Sequence, residues 1–444
     1  MILYHLVTLG CAKNVADSDG IGAVLAQAEI SRAERIEDAD VLIINTCGFL
    51  QASRQESLDT LRSLANQKRD DQLLIAVGCL ISRYGAGIQR QVPQVDGVID
   101  AGHWLALPRL IHFLKAGRDV PKDWLTDAYD GLPLEQLAAR SIVEQLPRSP
   151  HGPSAYLKIA DGCDRPCAFC IIPAIKGAHR SKPQDAVIAE ARDLVAQGVK
   201  EIVLVAQDTT AYGWDFGTRD ALAVLIEKLC TEVDGIQWLR LMYTFPGHVT
   251  PRLIETMARY PQVLRYIDVP LQHAHPETLK RMKRPNIEVT REMLDTLRAA
   301  MPDLAIRTTF IVGFPGETEE EYGALLEFLE EQQFDRVGIF EYSREDGTLA
   351  ATFAEQVSDK TKKYRREHAM ALQQKISLAK NKQCIGKEMR VLVEGFGDGM
   401  SIARSYRDAP EVDGVVLIQK ELPIGEFARV KITRAMEYDL IGVV

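Results

Sequence analysis

Three cysteines crowd into the segment Asp161-Gly-Cys163-Asp-Arg-Pro-Cys167-Ala-Phe-Cys170, directly after an apolar stretch that predicts a strand. Three thiolates in one short turn can hold three irons of a four-iron, four-sulfur cluster, whereas iron–sulfur proteins that only carry electrons usually supply four. The missing fourth ligand leaves one iron open to bind a substrate. Gly162 permits a tight exit from the strand. The alternative is a zinc knuckle with His179 as fourth ligand, although zinc sites usually bring paired cysteine arms from separate turns. Three buried structural cysteines at this spacing are the remaining reading.

A second set of thiols is spread through the first third of the chain. Cys11 follows Val7-Thr-Leu-Gly10, Cys47 follows Ile43-Ile-Asn-Thr46, and Cys79 follows Leu74-Ile-Ala-Val-Gly78. Each sits just past the carboxyl end of its own predicted strand. If those strands are parallel, the thiols end at one edge of the sheet and can converge on a metal cluster. A lone cysteine in that position is usually an inert small hydrophobe, so the coincidence of three is the signal. Gly10, Gly48 and Gly78 would let the backbone crowd around a bulky ligand. Cys230 and Cys384 have no such companions and read as structural.

These residues need a scaffold, and the chain is long enough for about three domains at 444 residues. An apolar fraction of 46% and a charged fraction of 26% fit a soluble globular protein. No apolar run approaches the roughly 18–20 residues that cross a bilayer. The first residues lack a basic flank and a cleavage site, so they read as a strand rather than a signal peptide. The expected location is therefore cytoplasmic, where eight cysteines favour metal binding or catalysis over disulfides.

Strands are expected over 2–8, 41–45, 73–77 and 97–100, with helices near 19–27, 51–66 and 81–91. That alternation predicts an N-terminal parallel α/β domain over 1–120. Prolines punctuate a linker over 121–148, with a short helix possible near 134–144. Six strand–helix units then fill 149–383 and favour a partial (β/α)6 barrel with a trailing polar helix, over a flat doubly wound sheet. Residues 384–444 switch to short strands between Gly/Asp turns, which predicts a small antiparallel β-barrel. From Glu388 onward ten acids face seven bases, and the whole chain carries a net charge of -9. Both argue against a broad electrostatic grip on nucleic acid, so direct nucleic-acid binding is not favoured.

The Cys-x3-Cys-x2-Cys run followed by a β–α repeat resembles the radical S-adenosylmethionine superfamily. The resemblance implies a six-strand partial barrel whose open iron chelates S-adenosylmethionine through its amino and carboxylate groups. It also implies a deoxyadenosyl radical as oxidant. Phe169 can then pack beside the cluster or the adenine ring. Such a site lies at the carboxyl ends of parallel strands. Candidate contacts to S-adenosylmethionine are Gln207, Asp208, Arg240, Gln272 and Arg307, with Gly313 letting the backbone approach the adenosine. Arg240 and Arg307 serve equally well as barrel-end salt bridges.

Two three-cysteine sets followed by a small barrel resemble the methylthiotransferases over essentially the full length. That family implies two four-iron clusters, one held by Cys163, Cys167 and Cys170 and an auxiliary one held by Cys11, Cys47 and Cys79, with a C-terminal TRAM module. Its chemistry removes hydrogen with a radical and captures the carbon with sulfur, and S-adenosylmethionine supplies the methyl group. A low-potential electron donor is required. Thr8-Leu-Gly-Cys-Ala-Lys-Asn14, Gln207-Asp-Thr-Thr-Ala-Tyr-Gly213, Val269-Pro-Leu-Gln-His-Ala274 and Arg404-Ser-Tyr-Arg-Asp-Ala-Pro410 resemble the RimO-type branch. That branch modifies the β-carbon of an aspartate in ribosomal protein S-twelve, a protein of the small ribosomal subunit. An acidic enzyme suits a basic protein substrate. Arg404 and Arg407 are either contacts to that aspartate or ordinary surface charges. The alternatives are a tRNA methylthiotransferase acting beside the anticodon and a non-enzymatic iron–sulfur or zinc scaffold.

Overall fold

A computed structural model of the protein describes residues 1–117 and 145–444. The helix expected near 134–144 and most of the expected linker lie outside the described residues. The chain packs as two compact units. The first contains residues 1–150, 156–165 and 171–194, and the second contains 151–155, 166–170 and 195–444.

In the first unit β1 (Ile2–Thr8), β2 (Ile30–Arg32), β3 (Val41–Thr46), β4 (Leu73–Gly78) and β5 (Gly97–Asp100) form one sheet in the order β2-β1-β3-β4-β5. Every pair is parallel. The central strand β3 is buried along its whole length, and its period-2 alternation divides two cores. Val41 and Ile43 join Ile21, Leu25, Trp104 and Leu110 on one face. Leu42 and Ile44 join Leu61, Leu64 and Leu80 on the other. The helix Ala12–Gln27 starts seven positions earlier than its apolar pattern predicts. Its first turns bury Asn14, Asp17 and Ser18, polar residues that mask the amphipathic signal and whose partners are described below.

The second sheet runs β13-β12-β11-β10-β9-β6. Its strands are β6 (Ser154–Lys158), β9 (Glu201–Val205), β10 (Trp238–Leu241), β11 (Val263–Asp268), β12 (Ala305–Val312) and β13 (Arg336–Glu341). From β9 to β13 the pairing is parallel. Helices Ala221–Glu232, Pro251–Arg259, Ile287–Ala300 and Glu319–Gln332 connect them, as the six-unit reading requires. A short ribbon of β7 (Ala160–Asp161) and β8 (Arg180–Ser181) flanks the cysteine loop in sequence.

After the helix Asp359–Lys382 comes a closed barrel of β14 (Glu388–Gly397), β15 (Met400–Ser405), β16 (Val416–Ile418), β17 (Phe427–Ala435) and β18 (Leu440–Val443). It departs from the expected all-antiparallel arrangement in one place, because β16 pairs with β18 in parallel. Strand β16 has only three residues, and closing the barrel there takes a strand from the far end of the chain. Among the described residues no helix is long and apolar enough to cross a membrane.

Candidate functional site

Cys11, Cys47 and Cys79 end β1, β3 and β4 at the same edge of the first sheet. The loops that carry them interlock. Gly10 has φ +97°, and a Cβ there would lie 2.9 Å from Cys47 Cβ and 3.1 Å from Cys47 Sγ. A Cβ on Gly48 would lie 2.7 Å from the Cys79 carbonyl oxygen. Gly10 and Gly48 therefore make room for the neighbouring cysteine loop. Asn14 ties the edge together. Its Nδ2 donates to the Leu9 carbonyl at 2.7 Å and the Thr46 carbonyl at 3.1 Å. Cys79 Sγ lies 3.9 Å from Asn14 Oδ1. Asn45 Nδ2 donates to the Asn14 carbonyl and to Ser18 Oγ. Ser57 clamps Cys47 by accepting from its N–H and donating to its carbonyl, both at 3.0 Å.

Burial pushes the Cys79 thiol up to about 12, with Lys176 opposing and Cys11 and Cys47 adding to the rise. Burial also raises Cys47, again with a contribution from Cys11. The three thiols thus lie within electrostatic reach of one another. A bound metal would supply the positive charge that their thiolate forms lack. Among the described residues no three His, Cys, Asp or Glu side chains gather around a single metal ion. The donor set is instead three sulfurs on interlocked loops, a chemistry that fits an iron–sulfur cluster.

A buried charge network backs this edge. Lys158 pairs with Asp17 and, at 3.3 Å, with Asp161. Lys176 pairs with Asp161 at 3.2 Å and Asp17 at 3.7 Å. Burial would depress Lys176, but Asp161 and Asp17 outweigh it and hold the ammonium charged. Lys176, Asp161, Asp100 and Arg180 also line a cavity of about 410 Å³ beside the helix Cys79–Tyr84.

In the second cysteine set, Gly162 (φ +77°) is obligatory, since a Cβ there would lie 2.0 Å from the Ala178 carbonyl oxygen. The Cys163 N–H donates to the Gly177 carbonyl at 3.1 Å. His179, weighed above as a zinc ligand, has Nε2 3.1 Å from Ser181 Oγ. Between Cys167 and Cys170, Ala168 donates to the Met282 carbonyl and accepts from the Ala350 N–H. Phe169 packs with Ala168, Phe314 and Tyr342. None of the eight cysteines forms a disulfide.

The expected contacts to S-adenosylmethionine divide. Gln207 and Asp208 follow β9 at its carboxyl end, where Asp208 Oδ1 accepts from the Ala211 N–H. Gln272 follows β11 with φ +76° and bridges to Phe310 on β12. Arg240 and Arg307 are corrections. Arg240 is fully buried and donates to Glu201 at 2.6 Å and to the Tyr406 carbonyl at 2.8 Å. Arg307 is two residues into β12, paired with Asp268 at 2.7 Å and Asp413 at 3.3 Å. Arg307 lies near the amino end of β12 and Glu201 opens β9, and both guanidiniums are engaged by buried carboxylates. Gly313 directly follows β12 at its carboxyl end, and a Cβ there would lie 2.3 Å from Lys362 Cγ.

Arg404 and Arg407 are likewise neither surface charges nor available contacts. Arg404 is 1% exposed and pairs with Glu201 and Glu394, both at 2.5 Å. Arg407 reaches Asp335 at 2.9 Å and Cys384 Sγ at 3.2 Å. Burial alone would raise Glu201, but Arg404 and then Arg240 outweigh it and hold the carboxyl at about 2. One residue near the cysteines escaped sequence reasoning. Arg284 points its Nη1 at Cys167 Sγ, 3.6 Å away.

Three family models match this chain: the radical SAM superfamily over 157–329, the uncharacterized protein family UPF0004 over 3–100, and the TRAM domain over 385–444. Among solved structures, the radical S-adenosylmethionine methyltransferase TsrM from Kitasatospora setae superposes with a TM-score of 0.57 at 15% identity, covering 90% of this chain and 77% of that one. The cobalamin-dependent radical enzyme OxsB gives 0.52 at 14% identity, over 83% of this chain and 56% of that one. These two show the fold alone. Much more similar are ribosomal protein uS12 methylthiotransferases RimO from Herpetosiphon aurantiacus, 44% identical, and Chloroflexus aurantiacus, 47% identical, each aligned over 99% of both chains. A third, from a Roseiflexus species, is 46% identical over 99% of this chain and 96% of its own length. With that similarity along its whole length, the chain belongs to the RimO family of radical S-adenosylmethionine methylthiotransferases.

Proposed function

We propose that this protein transfers a methylthio group to the β-carbon of an aspartate in ribosomal protein uS12, acting in the cytoplasm with a low-potential electron donor. The observation that carries the reading is the interlocking of three thiol-bearing loops at one sheet edge, in a chain that has a separate three-cysteine loop. The uS12 substrate is favoured over tRNA because the relatives aligned over nearly the whole chain carry the uS12 name. The acid excess of the C-terminal barrel points the same way.

In this reading Cys163, Cys167 and Cys170 hold one four-iron cluster, and Cys11, Cys47 and Cys79 hold the other. When bound, the two clusters and S-adenosylmethionine supply the electron, the hydrogen-abstracting radical, the sulfur and the methyl group. The chain's own residues place and insulate those groups. Asn14 and Ser57 fix the loops of the N-terminal thiols, and the Asp17–Asp161–Lys158–Lys176 network keeps one buried cation close to Cys79. Phe169 offers an apolar wall, and Gln207, Asp208 and Gln272 offer polar groups at carboxyl strand ends. The functional segments are assigned as 1–120 for the N-terminal cluster, 121–148 as linker, 149–383 for the radical barrel and 384–444 for the TRAM barrel.

The test separates the two clusters. Cys47→Ala in anaerobically reconstituted protein is expected to keep reductive cleavage of S-adenosylmethionine and to lose methylthiolation of uS12. A Cys47→Ala protein that still methylthiolates uS12 overturns the assignment of the N-terminal thiols.

A further inference from the structure

We propose that Arg284 is a positioning residue for the three-cysteine loop, fixing the Cys167 sulfur and raising the reduction potential of the cluster it ligates. This rests on the reading that Cys163, Cys167 and Cys170 hold that cluster. Arg284 Nη1 lies 3.6 Å from Cys167 Sγ, within reach of a sulfur hydrogen bond. Its other terminal nitrogen, Nη2, donates to the Pro270 carbonyl. The guanidinium carbon sits 4.1 Å above the Phe245 ring, a cation–π contact that holds the plane in place. The Phe245 ring in turn stacks on His248 with centroids 4.8 Å apart. Among the described residues the buried Nε has no hydrogen-bond partner. Among the described residues no carboxylate forms an ion pair with Arg284, and its Nη1 is directed at the sulfur.

The backbone beside it does the same work. Ala168, next to Cys167, donates to the Met282 carbonyl at 3.0 Å, and Lys283 adopts φ +56° between Met282 and Arg284. One short segment therefore binds the loop twice, once through its backbone and once through its sulfur. Hydrogen bonds to cluster sulfurs set the potentials of such centres, and outer partners fix the orientation of the ligands. A cation donating to a thiolate stabilises the reduced cluster more than the oxidised one, because reduction adds negative charge on the sulfurs. Removing it must lower the potential. A lysine keeps the charge but cannot make the sulfur, carbonyl and ring contacts together.

The experiment is an EPR-monitored potentiometric titration of the reconstituted holoenzyme, following the signal that S-adenosylmethionine perturbs, in wild type, Arg284→Met and Arg284→Lys. Iron content and circular dichroism are measured alongside. At the wild-type midpoint Arg284→Met is expected to show a reduced-to-oxidised cluster ratio at least tenfold lower, a shift of about 59 mV for one electron, with Arg284→Lys between the two. Equal midpoints in all three iron-replete proteins overturn the proposal. If Arg284→Met fails to load this cluster, loading by Arg284→Lys at a lowered midpoint supports the proposal, and failure of both variants overturns it in favour of a packing role. If wild type itself gives no signal perturbed by S-adenosylmethionine, the fault lies with the cluster assignment.

Discussion

Gly10→Ala is the smallest change that should silence one half of this enzyme. At φ +97° an alanine costs about 1–2 kcal/mol in backbone strain. The new methyl would stand 2.9 Å from Cys47 Cβ and 3.1 Å from its Sγ. Carbon atoms rest at about 3.5–4.0 Å, so the Cys47 side chain must retreat by roughly 0.6–1 Å. Metal–ligand distances tolerate shifts of about 0.2 Å. The fold survives, since a domain typically has about 5–15 kcal/mol of stability, but the N-terminal cluster does not. Iron analysis after anaerobic reconstitution is expected to find half the wild-type content. Cleavage of S-adenosylmethionine should persist while methylthiolation of uS12 falls at least tenfold. Wild-type iron content together with wild-type methylthiolation would refute the claim that interlocked loops set the sulfur positions.

Three further outcomes are expected. Cys163→Ala should abolish deoxyadenosine formation, and normal cleavage by that variant in an anaerobic assay would contradict its role as a cluster ligand. Arg404→Met leaves Glu201 and Glu394 without a shared buried partner, a loss of about 3–5 kcal/mol. Amide exchange in β14 and β15 should then rise at least 100-fold, since each 1.4 kcal/mol is about tenfold, and unchanged protection would show that the network is dispensable. Glu201 is held at about 2 in place of 4.5, which corresponds to about 3 kcal/mol of stability. Because the folded value is depressed, this contribution is complete above pH 4.5 and fades as pH falls toward 2. The exchange difference between wild type and Arg404→Met should shrink across that window, and a constant difference would assign the stability elsewhere.

The two cysteine sets stand out because each obeys a rule that sequence displays. Three thiols in one turn form a local pattern, and Cys11, Cys47 and Cys79 each follow an apolar run whose parallel pairing fixes one common edge. Asn14 was visible within a motif, but its function depends on carbonyls at Leu9 and Thr46, which only the sheet order brings together. Arg240 and Arg307 misled because an arginine in a strand does not announce its pairing. For Arg307, its place within the strand carried the missing signal. Arg307 is only two residues past the start of β12, near the wrong end for a ligand of this fold. Arg284 was hidden for another reason. It follows the helix Pro276–Arg281, a six-residue element too short for periodicity to reveal. The parallel pairing of β16 with β18 depends on barrel closure, a contact between segments that no local pattern encodes.

The most direct measurement is mass spectrometry of ribosomal protein uS12 and of tRNA nucleosides from cells with and without this protein. In cells lacking this protein, uS12 is expected to be lighter by one methylthio group at an aspartate, with the tRNA nucleosides unchanged. An unaltered uS12, or a methylthio group missing from a tRNA adenosine instead, would contradict the proposed function.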